Sequence, residues 1–208
     1  TAIQDDCIRK NPFDFHINTV IEDDTEPKVP LSPMQEESLL SFVKRDKVYH
    51  KYYDELIILL GTGLRISEFC GLTEKDIDFE NRTINVDHQL QYSGKKSYRI
   101  ETPKTDNGIR KIPMSNRVLE ALQRVMQNRK SSDFVVDGYT GFLFLTRSGT
   151  PKICTSYDAM FRRLVEKYNK SHEETLPAVT TPHTLRHTFC TNMANAGMNP
   201  KALQYLMG

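Results

Sequence analysis

Thr181-Pro-His-Thr-Leu-Arg-His-Thr-Phe189 is a helix start that carries chemistry. Pro182 suits the first helical position, and His183 and Arg186, three residues apart, leave the same face of the helix it opens. Far upstream, Thr62-Gly-Leu-Arg-Ile-Ser-Glu68 places Arg65 where a helical pattern gives way to a glycine-punctuated turn. Arginine keeps its proton at any usable pH, so two arginines at one site stabilise charge and do not move protons. Their planar forks match the oxygens of a phosphoryl group, and a histidine beside them can shuttle a proton.

Helical periodicity dominates outward from these two segments. Ser32-Pro-Met-Gln35 has the pattern of a capped start, with serine as the cap, Pro33 next, and Gln35 able to bond back. Leu56, Ile57, Leu59 and Leu60 predict a second helix from about Tyr49 to Leu60, closing at Gly61 and Gly63. Val118, Leu119, Leu122, Val125 and Met126 predict another after Ser115. Met160, Phe161, Leu164 and Val165 predict one after Thr155, and Asn199-Pro200 starts a last short one. Between these, residues 83–90 alternate apolar and polar as a strand does. Ser93-Gly94 reads as a turn, Lys95 to Glu101 as a second strand, and Ile109 to Met114 as a third. The expected fold class is α+β, mainly α, with a small three-stranded antiparallel sheet on one edge. Lys104 falls in the connection between the second and third strands.

Residues 1–20 read as the end of a helical unit closing at Asn11-Pro-Phe13. Residues 21–30 form an acidic, apolar-poor linker, and residues 31–208 are the main domain. With 38% hydrophobic and 26% charged residues, the composition suits a soluble globular protein. No apolar run approaches the roughly 20 residues that span a bilayer. The acidic start at Gln4-Asp-Asp6 has no apolar core behind it, unlike a signal peptide. Cys7, Cys70, Cys154 and Cys190 form no Cys-x-x-Cys pair and read as reduced thiols of a cytosolic protein. The net charge of +1 conceals segregation: residues 1–40 hold nine acidic and three basic residues, and residues 95–130 hold ten basic and three acidic. A basic block of this kind is either an electrostatic footprint for a polyanion or a solvated helix face. For the first reading, Lys95, Lys96, Arg99, Arg110 and Lys111 are the candidate polyanion contacts.

Gly63-Leu-Arg-Ile-Ser-Glu68, then a strand–Lys104–strand element, then His183-Thr-Leu-Arg-His187, in that order, resembles the tyrosine recombinase family of integrases. The resemblance covers residues 31–208, looks most like integrases of conjugative transposons, and extends to Arg9-Lys-Asn-Pro12 at the end of a core-binding domain. It implies that Arg65 and Arg186 contact the scissile phosphate, that His183 is a general acid–base, and that Lys104 protonates the departing 5′ oxygen. Glu68 would hold the arginine-bearing turn, and His187 would seat its helix. The resemblance further implies a covalent 3′-phosphotyrosine intermediate, no cofactor and no metal. Its implied partners are double-stranded DNA, a homotetrameric synaptic complex and accessory DNA-bending or excision factors, with a bacterial cytoplasmic, nucleoid-associated location and no membrane. The family pattern continues past Gly208 to its nucleophilic tyrosine, so the nucleophile is expected beyond Gly208, and residues 1–208 alone are expected to bind DNA without cleaving it. Tyr205, at helical spacing from Ala202 and Leu206, reads as a packing or surface residue.

Other readings stay open at this point. A phage integrase or chromosome-dimer resolvase of the same family shares these motifs. A DNA-binding regulator without a nucleophile would keep the clamp. His183 and His187, four apart on one helix, have the spacing of a zinc pair in a hydrolase, although no Glu follows His183 and no third ligand is evident.

Overall fold

Ser32 starts the first helix as its side chain predicts. Its Oγ accepts the Gln35 N–H at 3.1 Å, and the Gln35 Oε1 accepts the Ser32 N–H at 3.0 Å. The computed structural model describes residues 29–94, 97–103 and 108–208. The expectations for residues 1–20, for nearly all of the 21–30 linker, and for Lys95, Lys96 and Lys104 therefore lie outside the described residues.

Helix α1 spans Pro33–Arg45 and buries Leu39, Leu40 and Val43. After a 3₁₀ turn at His50–Tyr52 comes α2, Tyr53–Thr62, buried on nearly every side from Glu55 to Leu60 and again at Thr62. A helix apolar all round belongs at the centre of a domain. Accordingly α2 packs against α1, α4 (Asn116–Asn128) and α6 (Pro182–Asn195). Glu55, buried on α2, is matched by Lys152 Nζ and the Tyr157 hydroxyl, each at 2.5 Å. The helix ends at Gly63, whose φ of +64° is left-handed and whose N–H bonds the Leu59 carbonyl at 3.1 Å. A Cβ there would stand 2.4 Å from Phe189 Cδ1, so glycine is required both by the turn and by the approach of α6.

Beyond the turn, the described residues form the short helix α3 (Ile66–Gly71) and five strands: β1 (Ile77–Asp78), β2 (Thr83–Val86), β3 (Gln89–Ser93), β4 (Ser97–Glu101) and β5 (Arg110–Pro113). They form two antiparallel sheets, one ordered β1-β2-β5 and one a β3-β4 hairpin. This corrects the single sheet expected from sequence, in which residues 83–90 were one strand. The break falls at Asp87 and His88. The imidazole of His88, 3% exposed, meets the Asp87 carboxylate at Nδ1 (2.6 Å) and the Gly71 carbonyl at Nε2 (2.8 Å). That carbonyl is one of the unpaired acceptors at the end of α3. Drawing His88 beneath α3 turns the chain out of the first sheet and lets β3 pack on α3.

The remaining helices begin close to where they were expected. Ser115 caps α4 through the Val118 N–H at 3.3 Å, and Asn199 caps α7 (Pro200–Met207) through the Lys201 N–H at 2.9 Å. Helix α5 (Cys154–Asn169) buries Tyr157, Met160, Phe161, Leu164, Val165 and Tyr168. The fold is mainly helical with small antiparallel sheets. Among the described residues no helix is long and apolar enough to cross a membrane.

Candidate functional site

Arg65 is the residue before the first turn of α3, with extended backbone at φ −66° and ψ 147°. Glu68, one turn on, folds back to it: Oε2 accepts the Arg65 N–H at 2.8 Å and Oε1 accepts from Arg65 Nη1 at 2.8 Å. The Glu68 side chain is 5% exposed and that of Arg65 is 44% exposed. One edge of the guanidinium is thus fixed to a buried carboxylate while the rest remains accessible. Burial raises the Glu68 carboxyl, but hydrogen bonds from Arg110 and Arg65 and the Arg110 charge outweigh it and hold the group below the usual glutamate range.

Arg186 arrives from the other end of the chain. Pro182 opens α6, and the Thr181 N–H bonds Thr184 Oγ1 at 3.1 Å. Arg186 is buried, and its Nη1 donates to the Gly63 carbonyl at 2.6 Å, two residues before Arg65. Its Nη2 donates to the Met207 carbonyl, and Arg65 Nη2 donates to the next carbonyl, Gly208, at 2.6 Å. The two arginines, 121 residues apart, therefore converge on adjacent acceptors at the end of α7. Burial, and then the positive charge of Arg65, lowers the Arg186 pKa to about 10, with Arg110 adding to the effect and Glu68 opposing it. The group keeps its proton at neutral pH, so the site holds crowded, partly desolvated positive charge. Such a site stabilises an incoming anion.

A cavity of about 260 Å³ beside this cluster is lined by Arg65, Glu68 and His88, and by Pro103 and Gly108. Pro103 and Gly108 flank in sequence the segment that contains Lys104. His183 is exposed, and its ring meets that of His187 edge-on with centroids 4.5 Å apart. Among the described residues this pair gathers no third His, Cys, Asp or Glu. The group that has three such ligands is Asp76, Asp87 and His88. There both His88 nitrogens already hold hydrogen bonds, which accounts for the group as a connector between α3 and the strands.

The basic block reads differently in three dimensions. Arg110, expected among the DNA contacts, is corrected: its side chain is 0% exposed and pairs with both Glu68 oxygens, at 2.8 and 3.0 Å. Arg124 is held by Asp54 at 2.7 Å and Arg129 by Glu74 at 2.6 Å. Acidic residues outside the block neutralise much of it, and a count along the chain does not see them. Arg99 and Lys111 do stand exposed, as a phosphate contact requires. Tyr205 is 51% exposed, and its hydroxyl accepts the Lys111 N–H at 3.1 Å. Arg110 and His88 were both missed as organising residues. For Arg110 a signal existed, because strand alternation puts it on the same face as buried Ile112.

Comparison with known proteins places this fold among integrases and recombinases. The profile of the phage integrase family matches residues 30–208. A transposase from transposon Tn916 of Enterococcus faecalis is 59% identical over 208 residues, covering 100% of this chain and 51% of the relative. The tyrosine recombinase XerA of Pyrococcus horikoshii is 29% identical over 202 residues, 96% of this chain and 61% of its own length. A structure of the Tn1549 transposon integrase in complex with a circular intermediate DNA superposes with a TM-score of 0.95 at 64% identity, covering 99% of this chain and 66% of that one. The chain spans about half the length of the Tn916 relative. With the arginine-bearing turn, the strands and the His-x-x-Arg helix in their expected order, the chain belongs to the phage integrase family of tyrosine recombinases.

Proposed function

We propose that residues 31–208 belong to the catalytic domain of an integrase that excises and integrates a conjugative transposon. Residues 1–20 would close a preceding core-binding domain and 21–30 would link the two. The observation that carries this reading is the convergence of Arg65 and Arg186 beside a buried carboxylate, in a site whose crowded positive charge calls for a phosphate. In the proposed reaction a tyrosine oxygen from beyond Gly208 attacks the scissile phosphorus. The bond to the 5′ oxygen breaks, and Lys104 supplies that oxygen with its proton. Arg65 and Arg186 neutralise the charge that builds on the non-bridging oxygens, and His183 exchanges the tyrosine proton. The phosphodiester energy is retained in the protein–DNA bond, so resealing needs neither metal nor nucleotide. Double-stranded element ends and target are the proposed substrates, a tetramer the proposed assembly and the bacterial cytoplasm the proposed location.

A nicked suicide duplex incubated with the full gene product that contains this chain tests the reading. The expected result is a covalent adduct at a tyrosine C-terminal to Gly208, formed equally well in excess chelator. Arg65→Ala should cost about 3 kcal/mol or more of transition-state stabilisation. DNA affinity should fall far less, because other phosphate contacts remain. Undiminished adduct formation by Arg65→Ala would remove this site from the reaction. Binding with no adduct in any form of the protein would favour a non-catalytic regulator.

A further inference from the structure

We propose that Arg110 is the positioning residue of the strand-transfer site: it holds Glu68, and through Glu68 and the end of α7 it sets the placement of Arg65 and Arg186. The inference rests on the recombinase reading above and adds to it a residue that cannot touch DNA itself. Arg110 begins β5, and its guanidinium is fully enclosed. Nη1 and Nη2 grip the two oxygens of Glu68, Nη1 also reaches the Gly108 carbonyl at 3.1 Å, and Nε donates to the Leu206 carbonyl at 2.7 Å.

Each oxygen of Glu68 is shared. Oε1 accepts from Arg110 Nη1 and Arg65 Nη1, and Oε2 accepts from Arg110 Nη2 and the Arg65 backbone N–H. A carboxylate held by one planar fork has its plane fixed, and that plane then fixes the second arginine. The opposite edge of Arg110 does the same for α7. Leu206, Met207 and Gly208 offer three successive carbonyls, and these go to Arg110, Arg186 and Arg65 in turn. Gly208 lies so close over the guanidinium that a Cβ on it would stand 2.8 Å from Arg110 Nη1, and its φ is +71°. Arg110 therefore joins the two supports of the phosphate clamp, one on α3 and one on α7.

A buried ion pair that serves stability alone would leave the rate of a folded protein unchanged. The test separates the two roles with Arg110→Lys, which keeps the charge and loses the fork, in the full gene product on the suicide duplex. At saturating DNA, and at a temperature where circular dichroism shows the variant folded, adduct formation should slow by about 100-fold, the scale of a displaced catalytic group. DNA affinity should change by less than about threefold, since Arg110 makes no phosphate contact. Arg110→Lys combined with Arg65→Ala should be slowed by less than the product of the two single losses, because part of what Arg110 does passes through the Arg65 guanidinium and the rest through α7 and Arg186. Gly208→Ala, which presses on the same guanidinium from α7, carries the same expectation and stands in should Arg110→Lys not fold. A folded variant cleaving at the wild-type rate, or losses that multiply in the double variant, would overturn the role of Arg110. Normal cleavage by Arg65→Ala would instead overturn the site on which it rests.

Discussion

Replacing Glu68 by glutamine tests the electrostatic core of the site without changing its shape. Glu68 accepts four hydrogen bonds, two on each oxygen, and is 4% exposed. A glutamine amide must put its NH₂ where one of those oxygens stood. Either orientation then sets that group against two donors, one from Arg110 and one from Arg65. Two of four hydrogen bonds are lost, and the Arg110 charge stays buried without an opposite charge. Breaking a buried pair from one side costs about 3–5 kcal/mol. Against a total stability of about 5–15 kcal/mol, that is a large share. For a domain of this size it corresponds to a fall in melting temperature of roughly 6–20 °C. Urea denaturation followed by far-ultraviolet circular dichroism gives the difference directly, with the slope checked for two-state behaviour. Adding Arg110→Met should recover part of the loss, because two neutral side chains replace an unpaired cation. A loss below about 1 kcal/mol for Glu68→Gln, or a double variant that simply adds both losses, would refute the reasoning.

Stability at acid pH should show the same residue. The Glu68 pKa lies below its ordinary 4.5, so its contribution is complete above about pH 4.5 and fades as pH falls through the lowered folded-state value. The Glu68→Gln stability curve should lack that acid limb, and matching curves for the two proteins would contradict the assignment. Gly63→Ala should cost about 2–5 kcal/mol in denaturant titrations, combining left-handed strain with the clash against Phe189. Lys111→Ala should reduce the salt dependence of DNA binding by about one phosphate contact, whereas Arg124→Ala, already held by Asp54, should leave it unchanged. Equal effects from the two would restore the basic block as an undivided footprint.

Local chemistry made much of this molecule readable from its sequence. The cap at Ser32, the stop at Gly63 and the helix starts after Ser115, at Pro182 and at Asn199-Pro200 each depend on a few neighbouring residues, and each stands where the chain predicts. Motif order identified the family for the same reason: Arg65 and Glu68 interact within a single turn, as do His183 and His187 on theirs. Only the tertiary structure decided how distant charges pair. Arg110 looked like a surface cation because its partner lies 42 residues away, and Arg124 because Asp54 lies 70 residues away. The break at His88 was hidden likewise, since its Nε2 partner is a carbonyl at the end of α3, 17 residues away. Alternation and capping are governed by backbone geometry over a few residues. Desolvation and ion pairing depend on which surfaces the fold presses together, so the two arginines proposed to clamp a phosphate are legible in the sequence and their support appears only when the chain is folded.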